Sequence, residues 1–182
     1  MRTDTVWSDA AQQTCYRALL QATARPASIL RVSSGDQPAW MLVTATLLDG
    51  AVTLADPDHL LAAEHWPFIG AQSVSAETAH YILADGSRPP SFQPTLGTLD
   101  QPHLGATVLV VVAELGDGPL KVECHGPGIP DQRDLRLSGL DPGWISARNQ
   151  WTRRFPMGVD LLLADNQHVA ALPRTTRIAG GV

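Results

Sequence analysis

From Gly105 the chain runs Ala-Thr-Val-Leu-Val-Val-Val-Ala, a β-branched stretch that no charged side chain interrupts. Branched side chains are stiff at χ1 and suit a pleated backbone, so the stretch predicts a strand. It shows no alternation of apolar and polar residues. A strand apolar on both faces belongs in the middle of a sheet that is covered on both sides. The apolar core of the run, Val108 to Ala113, is far too short to span a bilayer. A length of 182 residues suits one core, so residues 1–182 are read as a single domain.

The remaining elements are read around that strand. Ser8-Asp9 predicts a helix start, with a side-chain oxygen for free N–H groups and a negative charge at the positive end of the dipole. Cys15, Leu19 and Ala22 recur at helical spacing, and Arg25-Pro26 closes the helix. A short strand is expected at 28–32, a buried helix at 38–48, and a brief strand at 51–54 ended by Asp56-Pro57. A helix is read over 58–66, a strand over 80–84, and a long proline-rich loop over 87–103. Asp117-Gly118 reads as a turn, with 120–125 as the hairpin partner of the apolar strand. Further strands are expected at 135–140 and 161–163, a helix from Asp141-Pro142 to about Arg153, and a final strand at 169–172. Helices lead and strands gather later, which fits an α/β protein with a mixed sheet and helices on its faces.

Charge and composition remove several function classes. A formal net charge of −5 gives no broad basic field, so nucleic acid is not an expected partner. Met1-Arg2-Thr3-Asp4-Thr5 is followed by no apolar signal segment, so no membrane association is expected and the expected location is the cytoplasm. Cys15 and Cys124 read as buried, reduced thiols, without metal-ligand spacing or a disulfide framework. Lys121 is the single lysine. No Walker A loop exists, and Lys121 would have to form any pyridoxal-phosphate Schiff base, yet it sits beside a turn on an expected exposed strand. The six histidines show no metal spacing, so no metal site is expected.

Three places could carry chemistry. His125 precedes Gly126-Pro127-Gly128, a turn that either brings N–H groups toward an anion or simply ends a strand. Asp160 is flanked by Val159 and Leu161–Leu163, so its carboxylate needs a partner, as an ion pair, a turn clamp or a ligand contact. Pro173-Arg174-Thr175-Thr176-Arg177 gathers two guanidinium groups and two hydroxyls at the end of a strand, where ligands of open sheets collect. Arg174 could hold a ligand, pair with Asp160, or meet another subunit.

Phe155-Pro156-Met157-Gly158-Val159-Asp160 followed by Leu172-Pro173-Arg174-Thr175-Thr176 resembles the C-terminal signature of PhnH, a subunit of the bacterial carbon–phosphorus lyase system. Tyr16-Arg17-Ala18-Leu19-Leu20 with Arg25-Pro26, Thr53-Leu54-Ala55-Asp56 and Gly126-Pro127-Gly128-Ile129 fall in the family's order. The resemblance implies a three-layer α/β/α fold with a central mixed sheet, similar to pyridoxal-phosphate-dependent transferases but without the cofactor. It implies a homodimer when alone and a core complex with PhnG, PhnI and PhnJ. That complex passes an alkylphosphonate to the ribose triphosphate of ATP with release of adenine, so ATP is a possible substrate of the complex. The chain is expected to be a non-catalytic or co-catalytic subunit that holds no pyridoxal phosphate and no iron–sulfur cluster. Asp160, Arg174, Thr175, Thr176, Arg177 and His125 are its candidates for a substrate-binding or interface role.

Overall fold

The computed structural model describes residues 6–32 and 35–179; Met1–Thr5 lies outside the described residues. In chain order the elements are α1 (Asp9–Ala24), β1 (Leu30–Arg31), α2 (Ala39–Leu47), β2 (Thr53–Ala55), α3 (Trp66–Ile69), β3 (Gln72–Ser73), β4 (Tyr81–Asp85) and a 3-10 turn (Pro102–Leu104). There follow β5 (Thr107–Val111), β6 (Glu114–His125), β7 (Arg133–Ser138), α4 (Gly143–Trp151), β8 (Asp160–Ala164), β9 (His168–Leu172) and β10 (Arg177–Ala179).

The apolar strand β5 lies inside a seven-stranded sheet of order β1-β9-β8-β5-β4-β2-β3. Its neighbours β4 and β8 run parallel to it, while β9 pairs antiparallel with both β8 and β1, so the sheet is mixed. Strand alternation divides the side chains cleanly. Ile82, Ala84, Val108, Val110, Leu161, Leu163, Ala170 and Leu172 enter one core, and Leu83, Leu109, Leu162, Ala164, Val169 and Ala171 enter the other. Each fully buried Val or Leu contributes about 1.5–3 kcal/mol relative to exposure, which explains why Val108 to Val112 carries no polar residue.

Helices α1 and α2 cover the second face. The α1 start is capped by the Ser8 hydroxyl, which accepts from the Ala11 N–H at 3.3 Å, and Cys15, Leu19 and Ala22 form its buried stripe. The other face departs from the expected helical layer. It is covered mainly by a three-stranded antiparallel sheet, β10-β6-β7, with α4 beside it. The cause is a period of two: Leu120, Val122 and Cys124 alternate inward along β6, and Leu135 and Leu137 along β7. The architecture is therefore α/β with a mixed central sheet, helices on one side, and a small sheet plus one helix on the other.

Four local expectations are corrected. The Asp117-Gly118 step does not reverse the chain. Gly116 (φ 105°) and Gly118 (φ 138°) sit in a bulged region of one long strand, β6, whose register against β7 shifts between Leu115 and Leu120. β5 cannot pair with β6, because both its edges are occupied by β4 and β8. Residues 58–65 are not helical. Asp56 accepts from the N–H groups of Leu60 and Leu61 (2.9 Å each), and Asp58 from that of Asp85 (2.9 Å), so side chains compete for the backbone. The chain also does not end its strands at Leu172, because β10 adds to β6 through Arg177–Ala179.

The long loop after β4 is anchored rather than free. Phe92 is buried and stacks on Trp151 at 6.0 Å, the Trp144 indole N–H donates to the Arg88 carbonyl (2.7 Å), and the Trp151 N–H donates to Gln93 (3.1 Å). Both cysteines are buried and free, as expected. Among the described residues no helix is long and apolar enough to cross a membrane.

Candidate functional site

The Pro173–Arg177 segment leaves β9 as a turn, closed by the Thr176 N–H donating to the Pro173 carbonyl at 2.9 Å, and then enters β10. β10 pairs with the end of β6, with Arg177 opposite His125. Two segments far apart in sequence are thereby brought together. Gly126 makes the approach possible: its φ is 131°, and a Cβ there would lie 2.9 Å from the Thr175 carbonyl oxygen.

Helix α4 supplies the facing wall. Trp144, Ile145 and Trp151 hold it in the core, which turns Arg148, Asn149 and Thr152 toward the Pro173–Arg177 turn. The three segments enclose a cleft of about 810 Å³. Arg148, Arg153, Arg174 and Arg177 line it together with His125, Thr175, Thr176 and Phe155, and the lining contains no carboxylate. Five of the six residues singled out from sequence meet here. The sixth, Asp160, lies behind the wall as the partner of Arg174.

Arg174 is built into the fold. Its backbone N–H donates to Asp160 Oδ1 at 2.7 Å and its Nη2 to Oδ2 at 2.7 Å, with Nε bridging at 3.2 Å. The same guanidinium donates to the carbonyls of Pro102 and Gly105. One side chain thus ties the start of β8, the end of the long loop and the turn after β9. Of the readings open to Asp160 and Arg174, the internal pair is formed, and Arg174 still presents part of its side chain to the cleft.

Arg148 is different. It is 1% exposed and donates from Nη2 to the carbonyls of Pro173 (2.7 Å) and Thr176, and from Nη1 to Asn149 at 3.4 Å. Its Nε has no partner, and neither has the buried hydroxyl of Thr176. Among the described residues no carboxylate forms an ion pair with Arg148, Arg153 or Arg177. Burial pushes the Arg148 guanidinium down to about 10, against the opposing pull of the Cys124 thiol and Asp160. A buried charge without a counter-charge is costly, and this one stands at the wall of a cleft.

His125 sits at the rim. Its Nε2 meets Glu123 Oε1 at 2.9 Å and its Nδ1 the Asp131 carbonyl at 3.3 Å. The Glu123 carboxylate raises its pKa above the ordinary histidine value. Cys124 beside it is no nucleophile: burial pushes its thiol up to about 11. Among the described residues no group of three His, Cys, Asp or Glu side chains could hold a metal ion. Lys121 is exposed, pairs with Asp134 at 2.8 Å and does not line the cleft.

Residues 4–179 match the model of a family described as bacterial phosphonate metabolism protein (PhnH). The chain belongs to the PhnH family. A protein of Stutzerimonas stutzeri named as a C-P lyase subunit protein, HtxG, is 42% identical over 173 residues, covering 95% of this chain and 88% of the relative. A protein of Rhizobium meliloti (strain 1021), named alpha-D-ribose 1-methylphosphonate 5-triphosphate synthase subunit PhnH, is 30% identical over 182 residues, covering 91% and 89%. The family's homologues are thus subunits of a phosphonate-processing complex. The Phe155–Asp160 and Leu172–Thr176 segments, which carried the resemblance, form part of the cleft and of the ion pair behind it.

Sequence reasoning missed the α4 wall, namely Arg148, Asn149, Thr152, Arg153 and Phe155. A signal existed: Arg148 and Thr152 are four residues apart and share a helix face. It was hidden because arginine on a helix ordinarily reads as a solvated residue.

Proposed function

We propose that this chain is a non-catalytic or co-catalytic subunit of a carbon–phosphorus lyase core complex, and that its cleft presents cationic donors to an anionic, phosphorus-bearing substrate of that complex. The supported step is the transfer of an alkylphosphonate to the ribose triphosphate of ATP with release of adenine. The chain forms a homodimer alone, joins PhnG, PhnI and PhnJ homologues in the cytoplasm, and itself holds neither pyridoxal phosphate nor an iron–sulfur cluster. The fold similarity to pyridoxal-phosphate-dependent transferases belongs to the same proposal.

The observation that carries this reading is a cleft lined by four arginines without one carboxylate, in a chain whose net charge is −5. Its walls include segments that mark the family. The Rhizobium relative is named as a synthase subunit whose product is a phosphonate ester bearing a triphosphate, which gives the class of anion. The exposed, paired state of Lys121 supports the absence of a Schiff-base cofactor.

The test is co-expression with PhnG, PhnI and PhnJ homologues, followed by native mass spectrometry. Recovery of this chain in a stoichiometric complex is the expected result. A dimer that stays apart from an assembled complex of the other three would overturn the subunit role.

A further inference from the structure

The cleft is uneven in depth and in charge. Arg153 and Arg177 are exposed at its mouth, and Arg174 is already neutralised by Asp160. At its inner wall lie Arg148 and Thr176, each 1% exposed. Each keeps a polar atom without a partner, the Arg148 Nε and the Thr176 hydroxyl. Buried polar atoms in native proteins are almost always satisfied. Two orphans on neighbouring side chains of one cleft therefore call for an acceptor that is not part of this chain. Water would satisfy the hydroxyl, but it brings no charge to the guanidinium.

We infer that the inner cleft is a binding site for a doubly charged phosphoryl or phosphonate group, with Arg148 and Thr176 as its inner donors and Arg153 and Arg177 as its outer ones. This rests on the reading of the cleft given above and names its ligand chemistry and its residues. Charge decides for phosphoryl over carboxylate. Arg148, Arg153 and Arg177 have no ion-pair partner among the described residues, and a monoanion would leave most of that charge uncompensated. Donor geometry agrees, since guanidinium and hydroxyl donors suit tetrahedral oxyanions. A volume of about 810 Å³ leaves room for whatever bears the group. Arg148 also holds the carbonyls of Pro173 and Thr176. The side chain that meets the anion therefore also fixes the turn that meets it.

The experiment is isothermal titration of the purified full chain at constant ionic strength and pH 8, with methylphosphonate, ATP and ribose 5-phosphate as separate probes and acetate as control. Thr176→Val is the informative variant, because the hydroxyl it removes has no partner in the fold. Its melting temperature should equal or exceed that of the parent, while affinity for the bound probe falls about tenfold or more, the worth of one hydrogen bond to a charged group. The double variant Arg153→Gln/Arg177→Gln should weaken binding further and lower its salt dependence. Arg148→Met should abolish binding, and circular dichroism checks that it folds. Binding of methylphosphonate assigns the site to the phosphonate; binding of ATP alone assigns it to the triphosphate. Binding of no phosphorus anion, binding equal to that of acetate, or binding indifferent to Thr176→Val overturns the inference. Complex assembly without binding sinks the site and leaves the subunit role intact; binding without assembly does the reverse.

Discussion

Asp165, at the turn between β8 and β9, is 5% exposed and accepts from the N–H groups of Leu115 (2.8 Å), Gln167 and His168 (2.6 Å each). Through Leu115 it fastens the start of β6 to the central sheet. Burial opposes its charge, but the bonds from Gln167, Leu115 and His168 outweigh that and hold its pKa below the ordinary value. Asp165→Ala removes the acceptor and strands buried donors, so urea denaturation should show a loss of about 3 kcal/mol or more. The pH dependence has a defined sign. A depressed pKa in the fold gives stability that is present above the unfolded value, near 3.9 for aspartate, and is lost as pH falls through the lower folded value. Asp165→Asn should therefore flatten the stability curve below about pH 4. His125 carries the opposite sign. Its pKa is raised by Glu123, so the pair's contribution is present below the unfolded value and fades as pH rises through the folded one. In an NMR titration the His125 ring should have its midpoint above about 6.5, and Glu123→Gln should move it down. An unmoved midpoint would show that the pair does not hold the proton.

Elements with a complete local code were legible. α1 carried its cap at Ser8, its stripe at Cys15, Leu19 and Ala22, and its stop at Arg25-Pro26, and all three are realised. Ser8→Ala should cost about 1 kcal/mol in thermal or chemical unfolding. β5 was legible because apolar residues on both faces of a strand admit one location. Residues 58–65 were not, because spacing shows where Leu60 and Leu61 stand but not that Asp56 takes their N–H groups. The β5–β6 pairing failed because a turn signal says nothing about which edges of a strand are free. The site divides in the same way. Its C-terminal arm was visible as arginines and hydroxyls in a row, whereas Arg148 needed tertiary packing to become a buried cation. Gly126 joins the arms. Gly126→Ala puts a side chain at φ 131°, with its Cβ 2.9 Å from the Thr175 carbonyl. It should cost about 1 kcal/mol or more, and it should also reduce anion binding because the turn is pushed out. Loss of stability with full binding would separate Gly126 from the cleft.

At the scale of the molecule, the two faces of the central sheet have different tasks. The α1–α2 side is a closed apolar core, while the side of the small sheet and α4 builds the cleft and accepts a buried charge to do so. That arrangement makes the native fold responsive to its ligand. An anion that binds the fold and not the unfolded chain stabilises it by about 2.7 kcal/mol at a hundred times its dissociation constant. For a domain of this size each kcal/mol is worth about 2–4 °C in Tm. A saturating phosphorus anion should thus raise Tm by about 5–10 °C over chloride at equal ionic strength. General screening of arginine repulsion would be matched by chloride, and nonspecific exclusion by sulfate would persist in every variant. The increment belongs to the site only if Thr176→Val reduces it without lowering the chloride baseline. If the parent and the variant rise together, the stabilisation comes from the surface as a whole and the cleft has no part in it.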